Sequence, residues 1–334
     1  MKMHYFSGEP WEEEYVRSKL SNDDITFHEG PFSAFADLTD PDATVLCIFI
    51  ESPIREADMA RFPALKLIAT RSTGFDHIDL AAAKARNITV VNVPFYGENT
   101  VAEFAFALLL ALSRRIIEAD ERVRAGTFSP KDLRGFDLAG KTLGVVGCGH
   151  IGMHVIKMAN GFGMKVLGFE VKPDPAVAEQ MGFTYASLPE VLAGSDIVTI
   201  HVPYNPHTHH LINKDNIKSF KKGSYLINTA RGAIVETDAL VDALKSGILA
   251  GAALDVLEEE GDLADPIALL SAPHPNEAGL RTTLENHYLI SHPRVIVTPH
   301  LAFNTQEGVQ RILDATIENI QNFAKGAPTN VVTA

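Results

Sequence analysis

Cysteine is nearly missing from this chain. Cys47 and Cys148 are the two it has, too few for a disulfide framework, so packing must hold the fold and a reducing compartment suits it. Long apolar runs are also missing. The most apolar, Val101 to Leu112, contains Glu103 and falls short of the ~20 residues that span a bilayer, so it reads as a buried helix. Met1 to Trp11 holds no apolar stretch of the kind that forms the core of a secretory signal, and cytoplasm is the expected location. Basic charge is short as well. Lys and Arg number 29 against 42 Asp and Glu, a formal net charge of −13, which repels phosphate backbones and anionic lipid heads. Neither nucleic acid nor a membrane is expected as a partner. Internal repeats and low-complexity segments are absent.

What is present is the composition of a folded globular protein, 46% hydrophobic and 21% charged, and 334 residues suit two domains better than one core. Short β-rich apolar runs alternate with helical stretches, the pattern of parallel strands joined by crossover helices, so the class is α/β. In the first third the strands are expected at Val45 to Ile50, Leu67 to Thr70 and Ile88 to Val93, with helical sequence such as Leu80 to Arg86 between them. Thr100 and Glu103 read as a Thr-x-x-Glu capping box opening a long helix that ends near Ile117 and crosses between domains. A loop punctuated by Gly126, Pro130, Gly135 and Gly140 follows. Six strands, Thr142 to Val146, Lys165 to Phe169, Ile197 to Ile200, Ser224 to Ile227, Gly251 to Leu254 and Val295 to Thr298, then make a doubly wound sheet. Thr305 to Phe323 is an amphipathic helix that would pack back onto the first domain.

In open parallel sheets, ligands bind beyond the carboxyl ends of the strands. Gly147-Cys148-Gly149-His150-Ile151-Gly152 lies there after the first strand of the second domain, with the Gly-x-Gly-x-x-Gly spacing that lets helix N–H groups reach a pyrophosphate. The next strand ends at Glu170, near the ~20-residue offset expected of an acid that binds the adenosine ribose diol. A carboxylate there favours NAD over a 2′-phosphate, nearby Lys172 softens the preference, and a solvated strand-end charge is the other reading. Later strands of the same sheet end in Asn228-Thr229-Ala230-Arg231-Gly232, in Asp255 to Glu260, and in Thr298-Pro299-His300. Arg231 offers a planar fork that matches a carboxylate bidentately. Imidazole as a class changes charge near neutral pH, so His300 can give a proton to a carbonyl oxygen. Glu260, paired with the imidazole, would favour its protonated form and fix its orientation. A surface salt bridge and an exposed imidazole are the bland alternatives for Arg231 and His300.

These residues, with Arg71-Ser72-Thr73-Gly74-Phe75-Asp76-His77-Ile78-Asp79, the run Val93 to Glu103 and Leu254-Asp255-Val256, resemble the D-isomer-specific 2-hydroxyacid dehydrogenase family, nearest to its NAD-dependent D-lactate dehydrogenase branch. The likeness covers nearly the whole chain. It implies a flavodoxin-like substrate domain over residues 1–100 and 301–334, a Rossmann NAD-binding domain over 101–300, an active-site cleft between them, and a homodimer. It further implies that Arg231 binds the carboxylate of a small 2-keto or 2-hydroxy acid, that His300 is the acid/base, and that Glu260 pairs with it. Backbone N–H groups around Thr73, Gly74 and Phe75 would also hold the carboxylate, and Tyr96 resembles the pocket tyrosine of lactate-type members. By the same likeness Gly147, Gly149, His150, Ile151, Gly152, Glu170, His201, Val202, Pro203, Thr208, Thr229 and Ala230 would touch NAD, with Asp255 near the nicotinamide amide.

Apolar candidates Phe49, Ile50 and Phe303 favour pyruvate or a modestly larger keto acid, with glyoxylate, hydroxypyruvate and branched keto acids as alternatives. A non-enzymatic NAD sensor of the same fold is the reading from a different class. The interval from Glu260 to His300 is longer than in phosphoglycerate dehydrogenases and resembles lactate-type members. Its Pro-rich start and helical Leu284 to Ile290 could cover the cleft, cap the structure or form a dimer contact. His201, His207, His209 and His210 look like metal ligands, but a Pro-bracketed loop beside the adenine end is the favoured setting, and no metal is expected. Cys148 lies where a helix N-terminus could lower a thiol pKa and expose the cofactor site to oxidation, although a small residue filling a tight turn is the favoured reading.

Overall fold

In the computed structural model, which describes residues 1–260 and 277–333, the chain divides into two compact units. These are Met1–Tyr96 with Asn304–Ala334, and Gly97–Phe303.

The first unit is a parallel sheet of β1 (Lys2–Phe6), β2 (Asp24–His28), β3 (Val45–Ile48), β4 (Leu67–Thr70) and β5 (Thr89–Val91) in the order β2-β1-β3-β4-β5, with helices α1 (Pro10–Lys19), α2 (Glu56–Ala60) and α3 (Leu80–Ala85). This is the flavodoxin-like order. Strands β3 and β4 are buried along their whole length, which is why they read as unbroken apolar runs in the sequence. Strands β1 and β2 do not appear in the sequence reading, because polar residues interrupt them. Buried His4 of β1 is tolerated because its Nδ1 lies 2.8 Å from His28 Nε2 and its Nε2 3.0 Å from Asp40 Oδ2. The C-terminal helix Gln306–Ala324 is capped by Thr305, whose side chain accepts from Gly308 N, a cap worth about 1 kcal/mol. It packs in this unit, against β4 and α1, and the tail beyond it bridges Val331 to Val91.

The second unit opens with α4 (Glu98–Arg114) and α5 (Ile116–Arg124). The expected capping box does not form. Gly97 is the N-cap, Thr100 lies buried in the first turn, and Glu103 is exposed and accepts from Asn99. The helix also stops short of Ile117, because Arg115 takes a left-handed conformation (φ +53°) and Gly135 packs onto the helix end, where a Cβ would come within 2.1 Å of Ser113 O. The sheet comprises β6 (Thr142–Val146), β7 (Lys165–Phe169), β8 (Thr184–Tyr185), β9 (Ile197–Ile200), β10 (Ser224–Asn228), β11 (Leu249–Leu254) and β12 (Val295–Val297), joined by α6 (His150–Gly161), α7 (Pro175–Met181), α8 (Leu188–Gly194), α9 (Thr237–Ser246) and α10 (Glu277–Ser291). Its order, β12-β11-β10-β9-β6-β7-β8, is doubly wound with the switch point between β6 and β9. The sequence reading lacks the two-residue edge strand β8. Helix α10 lies in the crossover from β11 to β12, packs on α9 and β12, and buries Thr283, Asn286 and Leu289, while Leu284 and Ile290 stay exposed. The Pro-rich start of that interval lies outside the described residues.

Register fixes what reaches the rim. Val146 pairs with Ile200, Asn228 with Leu254, and Leu254 with Val297, so these strands end level and the residues after them emerge at one edge.

Candidate active site

The three glycines of the loop after β6 have three physical tasks. Gly147 turns the chain at φ +95°, and a Cβ there would meet the His201 carbonyl at 2.8 Å. At Gly152 a Cβ would meet Gly147 O at 2.1 Å, so α6 can seat against the loop with glycine alone. Gly149, the N-cap of α6, has open space where a Cβ would project, and a ligand can therefore approach its backbone and the first-turn N–H groups of His150 and Ile151. Glu170 is half-buried at the end of β7, accepting from Cys148 N at 3.1 Å and Val171 N at 2.8 Å, so it is anchored to the glycine loop rather than loose in solvent.

Across the switch point, Val202 packs on Gly147, and Thr208 Oγ1 closes its own turn by donating to Pro203 O and accepting from Asn205 N. After β10, Asn228 staples the next turn, accepting from Ala230 N and donating to Arg231 O. Thr229 Oγ1 in that turn is buried with no hydrogen-bond partner among the described residues, a polar atom that a bound cofactor group would satisfy.

Arg231 points one donor back at Ala230 O, 2.8 Å away, which aims the guanidinium. Gly232 follows it because nothing larger fits: a Cβ would lie 2.0 Å from Leu257 C. His300 stands at φ +52°, with its Nδ1 2.7 Å from Glu260 Oε1. An ionised carboxylate only accepts, so Nδ1 carries a proton and Nε2 is the ring nitrogen able to exchange one.

Asp255 is the support beneath this imidazole. Its carboxylate, almost wholly buried, accepts from Thr298 Oγ1 (2.6 Å), Leu301 N (3.0 Å) and Ala302 N (2.9 Å), while its backbone O accepts from His300 N (2.8 Å). Burial raises its pKa, and the bonds from Thr298, Ala302 and Leu301 and the nearby His300 oppose that rise. The resemblance puts Asp255 near the nicotinamide amide; in the structure its oxygens also hold the turn that carries His300.

The first unit carries the other named residues. Thr73 follows β4, donating from Oγ1 to Val93 O and accepting at its carbonyl from Asn92 Nδ2, while Ser72 Oγ donates to Gly74 O. These bonds shape the loop so that its backbone is defined before any ligand arrives. Phe75 is exposed and Tyr96, Phe49 and Ile50 are half-buried, as is Phe303 in the second unit. Arg71, in the sequence only one residue of a motif, has a structural role of its own. Its guanidinium is buried against Glu12 (3.0 Å) and over the rings of Tyr5 and Phe49, and it reaches the carbonyls of Phe6 and Ser7. No local motif announces a pair so distant in sequence.

The structure bears on two further expectations. Cys148 is not an activated thiol: burial, and then the charge of Glu170, push it up to about 12, and its Sγ fills the space above Gly168. Native protein at neutral pH should therefore resist iodoacetamide at Cys148 and at buried Cys47 under conditions that label both in denaturant; rapid labelling of Cys148 would contradict this. The histidines form separate contacts. His201 Nε2 lies 2.9 Å from Thr199 Oγ1 and burial lowers its pKa, His209 stacks on His210, and His210 meets Glu258. Among the described residues no group of three or more His, Cys, Asp or Glu is placed to hold a metal.

Residues 106–302 match the family described as D-isomer specific 2-hydroxyacid dehydrogenase, NAD binding domain. The chain belongs to that family. This D-2-hydroxyacid dehydrogenase is 38% identical over 330 residues to 2-hydroxyacid dehydrogenase homolog 1 of Schizosaccharomyces pombe, covering 97% of this chain and 96% of that protein. It is 40% identical over 297 residues to a glyoxylate reductase of Thermofilum pendens, covering 87% and 80%. Among solved structures it is similar to the D-lactate dehydrogenase from Aquifex aeolicus complexed with NAD and lactic acid, at a TM-score of 0.88, 34% identity and 99% coverage of each chain. The dehydrogenase uses NAD. The open face of Gly149, the anchored carboxylate of Glu170 and the unsatisfied Thr229 hydroxyl fit such a dinucleotide. No helix among the described residues is long and apolar enough to cross a membrane.

Proposed function

We propose that this NAD-dependent D-2-hydroxyacid dehydrogenase is a D-lactate dehydrogenase, reducing pyruvate or a modestly larger 2-keto acid. The observation that carries the reaction is the 2.7 Å pair of His300 Nδ1 and Glu260 Oε1 on a turn clamped by Asp255. His300 gives the proton at Nε2 to the keto oxygen, and Glu260 stabilises the imidazolium before the transfer and orients the ring during it. Arg231 takes the substrate carboxylate in its fork, and the backbone N–H groups of Thr73, Gly74 and Phe75 complete that recognition. NAD in its reduced form supplies the hydride that the keto carbon accepts. Gly147, Gly149, His150, Ile151 and Gly152 hold the pyrophosphate, and Glu170 holds the ribose diol and disfavours a 2′-phosphate. His201, Val202, Pro203, Thr208 and Ala230 line the rest of the cofactor site, and Thr229 meets a polar group of the dinucleotide.

The preference for pyruvate is supported by the whole-length likeness to the Aquifex aeolicus lactate enzyme and by the aromatic candidates Tyr96, Phe49 and Phe303. The glyoxylate reductase relative supports glyoxylate as a second substrate reading. A panel of keto acids assayed with NADH and NADPH tests both. Pyruvate with NADH should give the highest kcat/KM; a preference for glyoxylate or hydroxypyruvate would replace the lactate reading, and equal use of NADPH would remove the role given to Glu170.

A further inference from the structure

We infer that Glu258, held by His210 and Thr237, is a positioning residue that keeps Arg231 and Glu260 in fixed relation; this rests on the roles just given to Arg231, Glu260 and His300.

The acidic turn after β11 contains Glu258, Glu259 and Glu260, and their surroundings differ. Glu260, which faces His300, has a side chain 43% exposed. It also accepts from Leu257 N at 3.3 Å. Glu258 is 15% exposed and fully engaged: Oε1 lies 2.7 Å from His210 Nε2, and Oε2 accepts from Thr237 Oγ1 at 2.8 Å and from Thr237 N at 3.3 Å. Its carbonyl accepts from Asn286 Nδ2 of α10 at 2.7 Å. One residue is thus tied to the loop after β9, to the first residue of α9 and to α10.

The same segment touches the arginine turn. A Cβ at Gly232 would lie 2.2 Å from Glu258 N, so the Leu257–Glu258 peptide rests directly on the residue after Arg231. His210 reinforces the junction from the other side, its N–H donating to Ala233 O at 2.9 Å. Between Glu258 and Glu260 the chain reverses through Glu259 at φ +54°, an uncommon conformation for a residue with a side chain, which persists where the structure on both sides holds it. Glu258 is the fixed end of that reversal and Glu260 the working end. Catalytic geometry is sensitive to displacements of about 1 Å, so an exposed carboxylate on a short turn needs such an anchor.

The test is steady-state reduction of pyruvate at saturating NADH by the full-length protein and its Glu258→Ala, Glu258→Gln and His210→Asn variants, with thermal midpoints measured alongside. Glu258→Ala should lower kcat by roughly 10- to 100-fold, the range found when supporting hydrogen bonds are removed from ordered sites, and should raise the KM for pyruvate. Glu258→Gln retains an oxygen that accepts from Thr237, its amide N–H can donate to an unprotonated His210 Nε2, and it should keep most of kcat. Should the alanine variant not fold, His210→Asn carries the test, with a fall in kcat at an unchanged midpoint expected. A lower midpoint with kcat and KM unchanged, or equal losses in the alanine and glutamine variants, would overturn the inference. The parent and His300→Ala run in the same assay separate the two levels: a parent that reduces no keto acid overturns the proposed reaction, whereas an active parent with indifferent Glu258 variants overturns the positioning role alone.

Discussion

His300→Ala should lower turnover of pyruvate by roughly a hundred- to ten-thousand-fold, the range a positioned general acid supplies, while NADH binding followed by fluorescence titration stays near that of the parent. The expectation follows from how the ring is held. Its Nδ1 is committed to Glu260 at 2.7 Å, its backbone N–H to Asp255 O at 2.8 Å, and the two residues after it donate to the Asp255 carboxylate. That investment of hydrogen bonds fixes one nitrogen so that the other can act. The glycine loop and Glu170 are held by contacts of their own, Glu170 by Cys148 N and Val171 N, so the cofactor-binding role proposed for them should survive its loss. Near-normal turnover in the variant would reject His300 as the acid.

Arg231→Lys is the second large effect. A charge-assisted hydrogen bond contributes about 1.5–3 kcal/mol, and each 1.4 kcal/mol is about tenfold in rate, so replacing the fork by a point charge should cost roughly 10- to 100-fold in kcat/KM for the keto acid. Lysine keeps the positive charge but has neither the planar pair of donors nor the bond to Ala230 O that aims them. The loss should therefore fall mainly on KM for pyruvate, with NADH affinity little changed. Kinetics equal to the parent's would mean that Arg231 serves the fold and not the substrate.

The residues at the strand ends could be read from the sequence because their positions follow from alternation. Once β10, β11 and β12 are recognised as parallel neighbours, Arg231, Glu260 and His300 must emerge at one rim, and the level ends of Asn228, Leu254 and Val297 confirm the register. The glycine loop was legible for the same local reason. Strands β1 and β2 were not, because a buried His4 looks like a break in an apolar pattern until Asp40 and His28 are known to satisfy it. The end of α4 was misjudged because Gly135, distant in sequence, closes it. The supports of the site were hidden most completely. Nothing local in the sequence shows that Asp255 clamps the His300 turn, and Glu258 looks like one of three equivalent acids until His210 and Thr237 are seen around it. Pattern shows which side chains reach a rim, whereas the groups that hold them there depend on contacts across the fold.

The most direct measurement is NADH consumption by the purified protein with pyruvate, with the chirality of the product determined and His300→Ala run beside it. One D-lactate should form for each NADH oxidised by the parent, and almost none by the variant. Saturable NADH binding with no reduction of pyruvate, glyoxylate, hydroxypyruvate or branched keto acids would contradict it and favour an NAD-sensing protein of the same fold.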